Sequence, residues 1–135
     1  MGAIDVFVET SVLVSILLEE PGWEGRLETI GAANLAITSP LAIVEATMVL
    51  SSRLTIEPEF AEQRVRSLLN HAQVAIAAID DTTASLAVQA FQTYGKGRGH
   101  PAQLNMGDCF SHACARQHRV PLLYVGDDFA QTDLA

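Results

Sequence analysis

Apolar residues along the chain fall into short β-prone blocks separated by longer stretches of helical spacing. Residues 5–8 read as a first strand. "LAIT" (35–38), "VAIAAI" (74–79) and "PLLYV" (121–125) read as three more. A helix is predicted over 11–19, stopped by Pro21-Gly22, and a second over 23–30, which Gly31 can end. Ser39 as N-cap and Pro40 at the first position open a third, running to about Arg53. Glu57-Pro58 starts a fourth, with Phe60, Val65, Leu68 and Leu69 on one stripe. Residues 83–94 and 106–118 are the last two, joined by the Gly-rich loop "YGKGRGHPAQLN" (94–105). Strands that alternate with helices and are apolar on both faces predict an α/β fold. Its form is a three-layer α/β/α sandwich around a mainly parallel central sheet. With 135 residues, one domain spanning 1–135 with one core is expected.

Such a sheet binds ligands beyond the carboxyl ends of its strands, and acids collect there. Glu9 follows the first strand, Asp80 and Asp81 the third, and Asp127 and Asp128 the last. Glu45 lies in "SPLAIVEATMVLSS", apolar on nearly every face and so expected to be mostly buried. A lone carboxylate there is costly unless paired or bound to metal. In "LNMGDCFSHACAR", Asn105 fits an N-cap and places Asp108 at the third helical position. An acid there completes a capping box, and the same geometry can present a metal-binding carboxylate. Gly107 removes a side chain that would crowd an incoming ligand. Asp80-Asp81 is read as an N-cap, and Asp127-Asp128 alone is also compatible with an Asx turn. Taken together, oxygen donors from several segments, without a His or Cys ligand set, suit Mg²⁺ or Mn²⁺. Sites of that kind serve phosphodiester hydrolysis.

The formal net charge of −8 excludes a module that coats nucleic acid by bulk electrostatics; a local cation has to cancel the repulsion. Cys109 and Cys114, five apart in one predicted helix, point in different directions and read as buried thiols. No apolar run is long enough to cross a bilayer, and "MGAIDVF" lacks the pattern of a signal peptide. A cytoplasmic protein with no membrane contact is expected.

"FVETSVLVSILLEEPGWE", "TSPLAIVEATMVL", "LNMGDCFSHACAR" and "PLLYVGDDFAQTDL" resemble, in order and spacing, the sequence blocks of the PIN-domain family. The similarity is nearest to its VapC toxins of type II toxin–antitoxin modules. The resemblance implies a Mg²⁺- or Mn²⁺-dependent endoribonuclease, usually a homodimer, held inactive by a cognate antitoxin. It carries the family's acidic quartet onto Glu9, Glu45, Asp108 and one of Asp127 and Asp128, with Asp127 taken as the metal ligand, and favours Ser11 as a hydroxyl that orients Glu9 or water. The family has Asp where this chain has Glu9. The extra methylene moves the carboxylate by about one C–C bond, which matters in a site needing tight geometry. The variant reading is therefore a degenerate domain that binds a partner without catalysis.

The basic residues are few. Lys96 is the single lysine, and with Arg98 and His100 it clusters just before Asp108. Lys96 and Arg98 are candidate RNA-binding residues, which Arg116 and Arg119 could extend; the alternative is a solvated, mobile loop. Thr10 is read as a helix cap, and His112 and His118 as satisfied or exposed histidines. A dehalogenase-type phosphatase needs a DxD pattern after the first strand, and a receiver domain needs a Lys near the last. Glu9-Thr10-Ser11 and the place of Lys96 fit neither.

Overall fold

The computed structural model describes residues 4–135. Its elements are β1 (Val6–Val8), α1 (Thr10–Leu17), α2 (Trp23–Ala32), β2 (Ala36–Thr38), α3 (Pro40–Leu54) and α4 (Pro58–His71). Then come β3 (Ala75–Ile76), α5 (Asp81–Tyr94), α6 (Met106–His118) and β4 (Leu122–Leu123). The sheet is parallel throughout, in the order β3-β2-β1-β4.

Strand alternation builds two cores, one on each face. Val6 and Val8 of β1 and Ala36 of β2 join buried residues of α1 to α4. Phe7, Ile37 and Leu122 turn the other way and pack with α5 and α6. The result is three layers, as the apolar-on-both-faces strands predict. The winding reverses beside β1: the chain steps outward to β2 and β3, then returns across α5 and α6 to β4 on the other side. In open parallel sheets such a reversal leaves a crevice at the strand ends. The first residue past β1 there is Glu9, whose backbone N–H donates to Leu123 O at 3.0 Å.

The helix starts follow the caps. Ser39 Oγ accepts from Ala42 N, with Pro40 opening α3, and Asp80 and Thr83 form a capping box on α5. Several expectations change. Gly31 lies inside α2, which runs to Ala32 because Asp5 takes the Asn34 and Leu35 amides (2.9 and 3.0 Å) and draws the chain out only there. On α4 the inward stripe is Ala61, Val65 and Leu69, while Phe60 is exposed. The "VAIAAI" segment shrinks to two exposed residues, since β3 is the sheet edge and pairs only with β2.

The helix carrying Glu45 is also not mostly buried. Val44, Met48 and Val49 of α3 face outward, Met48 with 67% of its surface exposed. Cys109 and Cys114 are free and buried. Among the described residues no helix is long and apolar enough to cross a membrane.

Candidate active site

Glu9 is the N-cap of α1. Its Oε1 accepts the Ser11 backbone N–H at 3.0 Å and also the Ser11 hydroxyl. That hydroxyl oxygen in turn accepts from Val125 N at 2.9 Å, so Ser11 ties Glu9 to the segment just after β4. Glu9 is buried, with 7% of its surface exposed. Burial pushes its carboxyl up to about 7, against the pull of the Ser11 hydroxyl and amide; the nearby charges of Asp108 and Glu45 push the same way. An acid is tolerated between a buried strand and a buried helix because helix capping and a hydroxyl satisfy it.

Glu45 projects from the middle of α3. Its Oε1 accepts the Thr10 hydroxyl at 2.9 Å. Burial raises its carboxyl, partly offset by that hydroxyl. Thr10 is therefore not the cap of α1 but the link from α1 to Glu45, a role with no local mark in the sequence because it depends on a residue 35 positions away.

Asp108 occupies the third position of α6 in the predicted capping box. Asn105 Oδ1 accepts from Asp108 N at 2.8 Å, and Asp108 Oδ2 accepts from Asn105 N at 3.1 Å. Burial raises Asp108 to about 6 against the Asn105 amide, and the charges of Asp128 and Glu45 add to the rise. Gly107 also has a different neighbour from the one expected: a Cβ there would meet the Glu45 carboxylate.

The structure thus brings Glu9, Glu45 and Asp108 within electrostatic reach of one another, with Asp128 at the edge. Asp127 and Asp128 are both exposed, and it is Asp128 whose charge acts on Asp108. Among the described residues, the ion pairs are Arg53–Glu20, Arg66–Glu62, His112–Asp133 and Arg116–Asp133. None supplies a cation to the four acids. Nor do three His, Cys, Asp or Glu side chains of the described residues close into a metal-holding group. A cation at these carboxylates would complete its shell with water, as Mg²⁺ does. The oxygen-only donors, the burial of Glu9 and Asp108 and the lack of a counter-charge among the described residues fit such an ion.

The remaining candidates make their side-chain contacts with other partners. His112 is buried against Asp133 at 2.7 Å, a satisfied histidine, and Arg116 takes the other oxygen of Asp133 at 2.9 Å. Arg119 is the exposed C-cap of α6, and His118 is half-buried. The glycine-rich loop is more ordered than a solvated connection. Lys96 N donates to Leu104 O and Leu104 N to Tyr94 O, both at 2.9 Å. Arg98 rests over the Phe91 ring at 5.8 Å. Lys96 borders an apolar groove with Val88, Phe91, Met106 and Phe110, and Asn105 at its edge. The loop thus ends at the cap of the Asp108 helix.

Comparison with known proteins agrees with this fold. The model of the PIN domain matches residues 6–134. A VapC ribonuclease of Rhizobium meliloti is 37% identical, the match covering 95% of this chain and 98% of that protein. Ribonuclease VapC of Mycolicibacterium smegmatis is 40% identical, over 95% of this chain and 96% of its own. Among solved structures, a toxin–antitoxin complex from Klebsiella pneumoniae superposes with TM-score 0.71 at 21% identity, covering 96% of this chain and 93% of that one. The sarcin–ricin-loop-cleaving toxin VapC20 of Mycobacterium tuberculosis gives TM-score 0.69 at 18% identity, over 93% of both chains; these two likenesses speak to the fold. By sequence and by fold, the chain belongs to the PIN-domain family, in its VapC branch.

Proposed function

We propose that this protein is a Mg²⁺- or Mn²⁺-dependent endoribonuclease that acts as the toxin of a toxin–antitoxin pair. The observation that carries this reading is the set of acids from four segments, Glu9, Glu45, Asp108 and Asp128, gathered at the sheet reversal without a protein cation among the described residues. Buried like charges raise one another's pKa and are relieved by a bound cation. Although no three of them close into a ligand cage as they stand, Glu9, Glu45 and Asp108 would hold the ion together with water, and Asp128, rather than the neighbouring Asp127, would complete the set from the exposed side.

A divalent cation held there supplies Lewis acidity toward the scissile phosphate and lowers the pKa of water. The protein's own groups supply position. Ser11 fixes Glu9 through Oε1, Thr10 fixes Glu45 through Oε1, and the Asn105 cap fixes Asp108 through Oδ2. Without the ion, burial lifts the Glu9 carboxyl to about 7; a bound cation would favour its ionised form, so loading the site would release a proton near neutral pH.

At net charge −8, RNA is held by the ion and by few cations. Lys96 and Arg98 are the candidates, on a loop that leads into the Asp108 helix. The relatives' names support the ribonuclease reading, and the likeness to the Klebsiella toxin–antitoxin complex supports an antitoxin partner. The exposed apolar face of α3 supports a homodimer. Purified, partner-free protein is expected to cleave structured RNA with Mg²⁺ or Mn²⁺ and to stop in EDTA. Activity that persists in EDTA would overturn the reading, and a pure protein inert in both metals would favour a domain that only binds.

A further inference from the structure

Glycine is a poor choice inside a helix, yet Gly107 occupies the first turn of α6, between Met106 and Asp108. Relative to Ala it forfeits backbone entropy and helix preference. Its backbone conformation does not require it, since the positive-φ glycines of the chain are others. What requires it is space. A Cβ at Gly107 would collide with Glu45 Oε2 and lie 2.7 Å from Cδ and 3.0 Å from Oε1. The glycines of α2 make a contrast: a Cβ at Gly25 or Gly31 would meet nothing within 4 Å.

We propose that Gly107 is a positioning residue: its missing side chain makes the slot in which the Glu45 carboxylate lies against the first turn of α6, pinned from the other side by Thr10. This rests on the proposed function, in which Glu45 serves the acidic site. Two physical effects favour the slot. The amino-terminal turn of a helix presents positive partial charge to a carboxylate, and the Thr10 hydroxyl fixes Oε1 at 2.9 Å. A methyl group at position 107 would occupy the place of the carboxylate itself. Glu45 is a flexible side chain, so the fold can admit the methyl group by expelling the carboxylate. The cost to folding is then the lost seat of the carboxylate and its Thr10 hydrogen bond, enough to offset the Ala-for-Gly gain, and the larger loss falls on the site.

The test is a double-mutant cycle read by denaturant unfolding in EDTA, without any metal, on the parent, Gly107→Ala, Glu45→Ala and the double variant. In the Glu45→Ala background, Gly107→Ala is expected to raise the folding equilibrium constant roughly fivefold, the ordinary Ala-for-Gly preference in a helix. With Glu45 present, that gain should be absent or reversed. In parallel, Gly107→Ala should lower the rate at saturating RNA on the order of a hundredfold, with KM little changed. The same stabilisation in both backgrounds would overturn the proposal. Should Gly107→Ala fail to fold, recovery in the double variant supports it, and failure of the double variant too rejects it. A parent inert on RNA in Mg²⁺ and Mn²⁺ would sink the ribonuclease reading alone, leaving the unfolding cycle to decide Gly107.

Discussion

Glu9 concentrates the chemistry of single residues in this chain. It caps α1, accepts two hydrogen bonds from Ser11 and stands beside Asp108 and Glu45. Aspartate is the better N-cap, so Glu9→Asp should keep α1 intact while drawing the carboxylate back by one methylene. The expected result is a higher apparent Mn²⁺ affinity or cleavage rate; a fall in both would show a pocket fitted to glutamate. Protonation gives a second handle. The folded-state pKa of Glu9 is raised from 4.5 to about 7 and that of Asp108 from 3.8 to about 6, so the folded protein binds these protons more tightly than the unfolded chain does. That stabilisation is fully present below the unfolded values and is lost as pH rises through the folded ones. Metal-free protein should therefore lose stability from about pH 4 to about pH 7, and Glu9→Gln, which keeps an acceptor for Ser11, should flatten the upper part of that slope. Urea midpoints across this range in EDTA measure it; stability that rises with pH would contradict the burial of these acids.

At the scale of elements, what the sequence makes legible is local. The Asn105–Asp108 box, the Asp80 cap and the Ser39-Pro40 start depend on residues within three positions, and each stands where the sequence puts it. Glu9 and Ser11 are legible because they follow the first strand directly. The contact of Thr10 with Glu45 and the crowding of Gly107 by that same carboxylate are not, since each joins helices distant in sequence. Apolar pattern alone also misjudges β3 and α3: it marks residues able to be buried, and position in the sheet decides which are covered. The loop between α5 and α6 shows the same limit. Its glycines suggest mobility, but the hydrogen bonds of Lys96 and Leu104 hold it shut at its base. For that reason a Lys96→Ala/Arg98→Ala variant should keep its fold and metal binding. It should lose apparent RNA affinity more than rate at saturating RNA, seen as a raised KM in cleavage assays. Kinetics equal to the parent would make these two residues a border of the apolar groove and nothing more.

For the whole molecule, two properties pull in different directions. The net charge of −8 repels RNA and keeps copies apart, while exposed Val44, Met48 and Ile76 offer apolar surface between α3 and the edge strand. Self-association through that face would cover it. Sedimentation should find a dimer for the parent and a monomer for Met48→Glu; a parent that remains monomeric at high concentration would remove the homodimer. The proposed metal site would also tie folding to metal. Mn²⁺ should raise the thermal midpoint of the parent, because an ion that binds only the folded state stabilises it by mass action. The most direct measurement is RNA cleavage by the parent and Asp108→Asn across a Mn²⁺ titration. Asparagine keeps an acceptor for the Asn105 amide and removes only the charge, so the folds can be compared. The parent should gain activity with Mn²⁺ and saturate, and Asp108→Asn should stay near background at every concentration; an Asp108→Asn curve that overlays the parent's would contradict the assignment of these acids to a divalent-cation site for RNA hydrolysis.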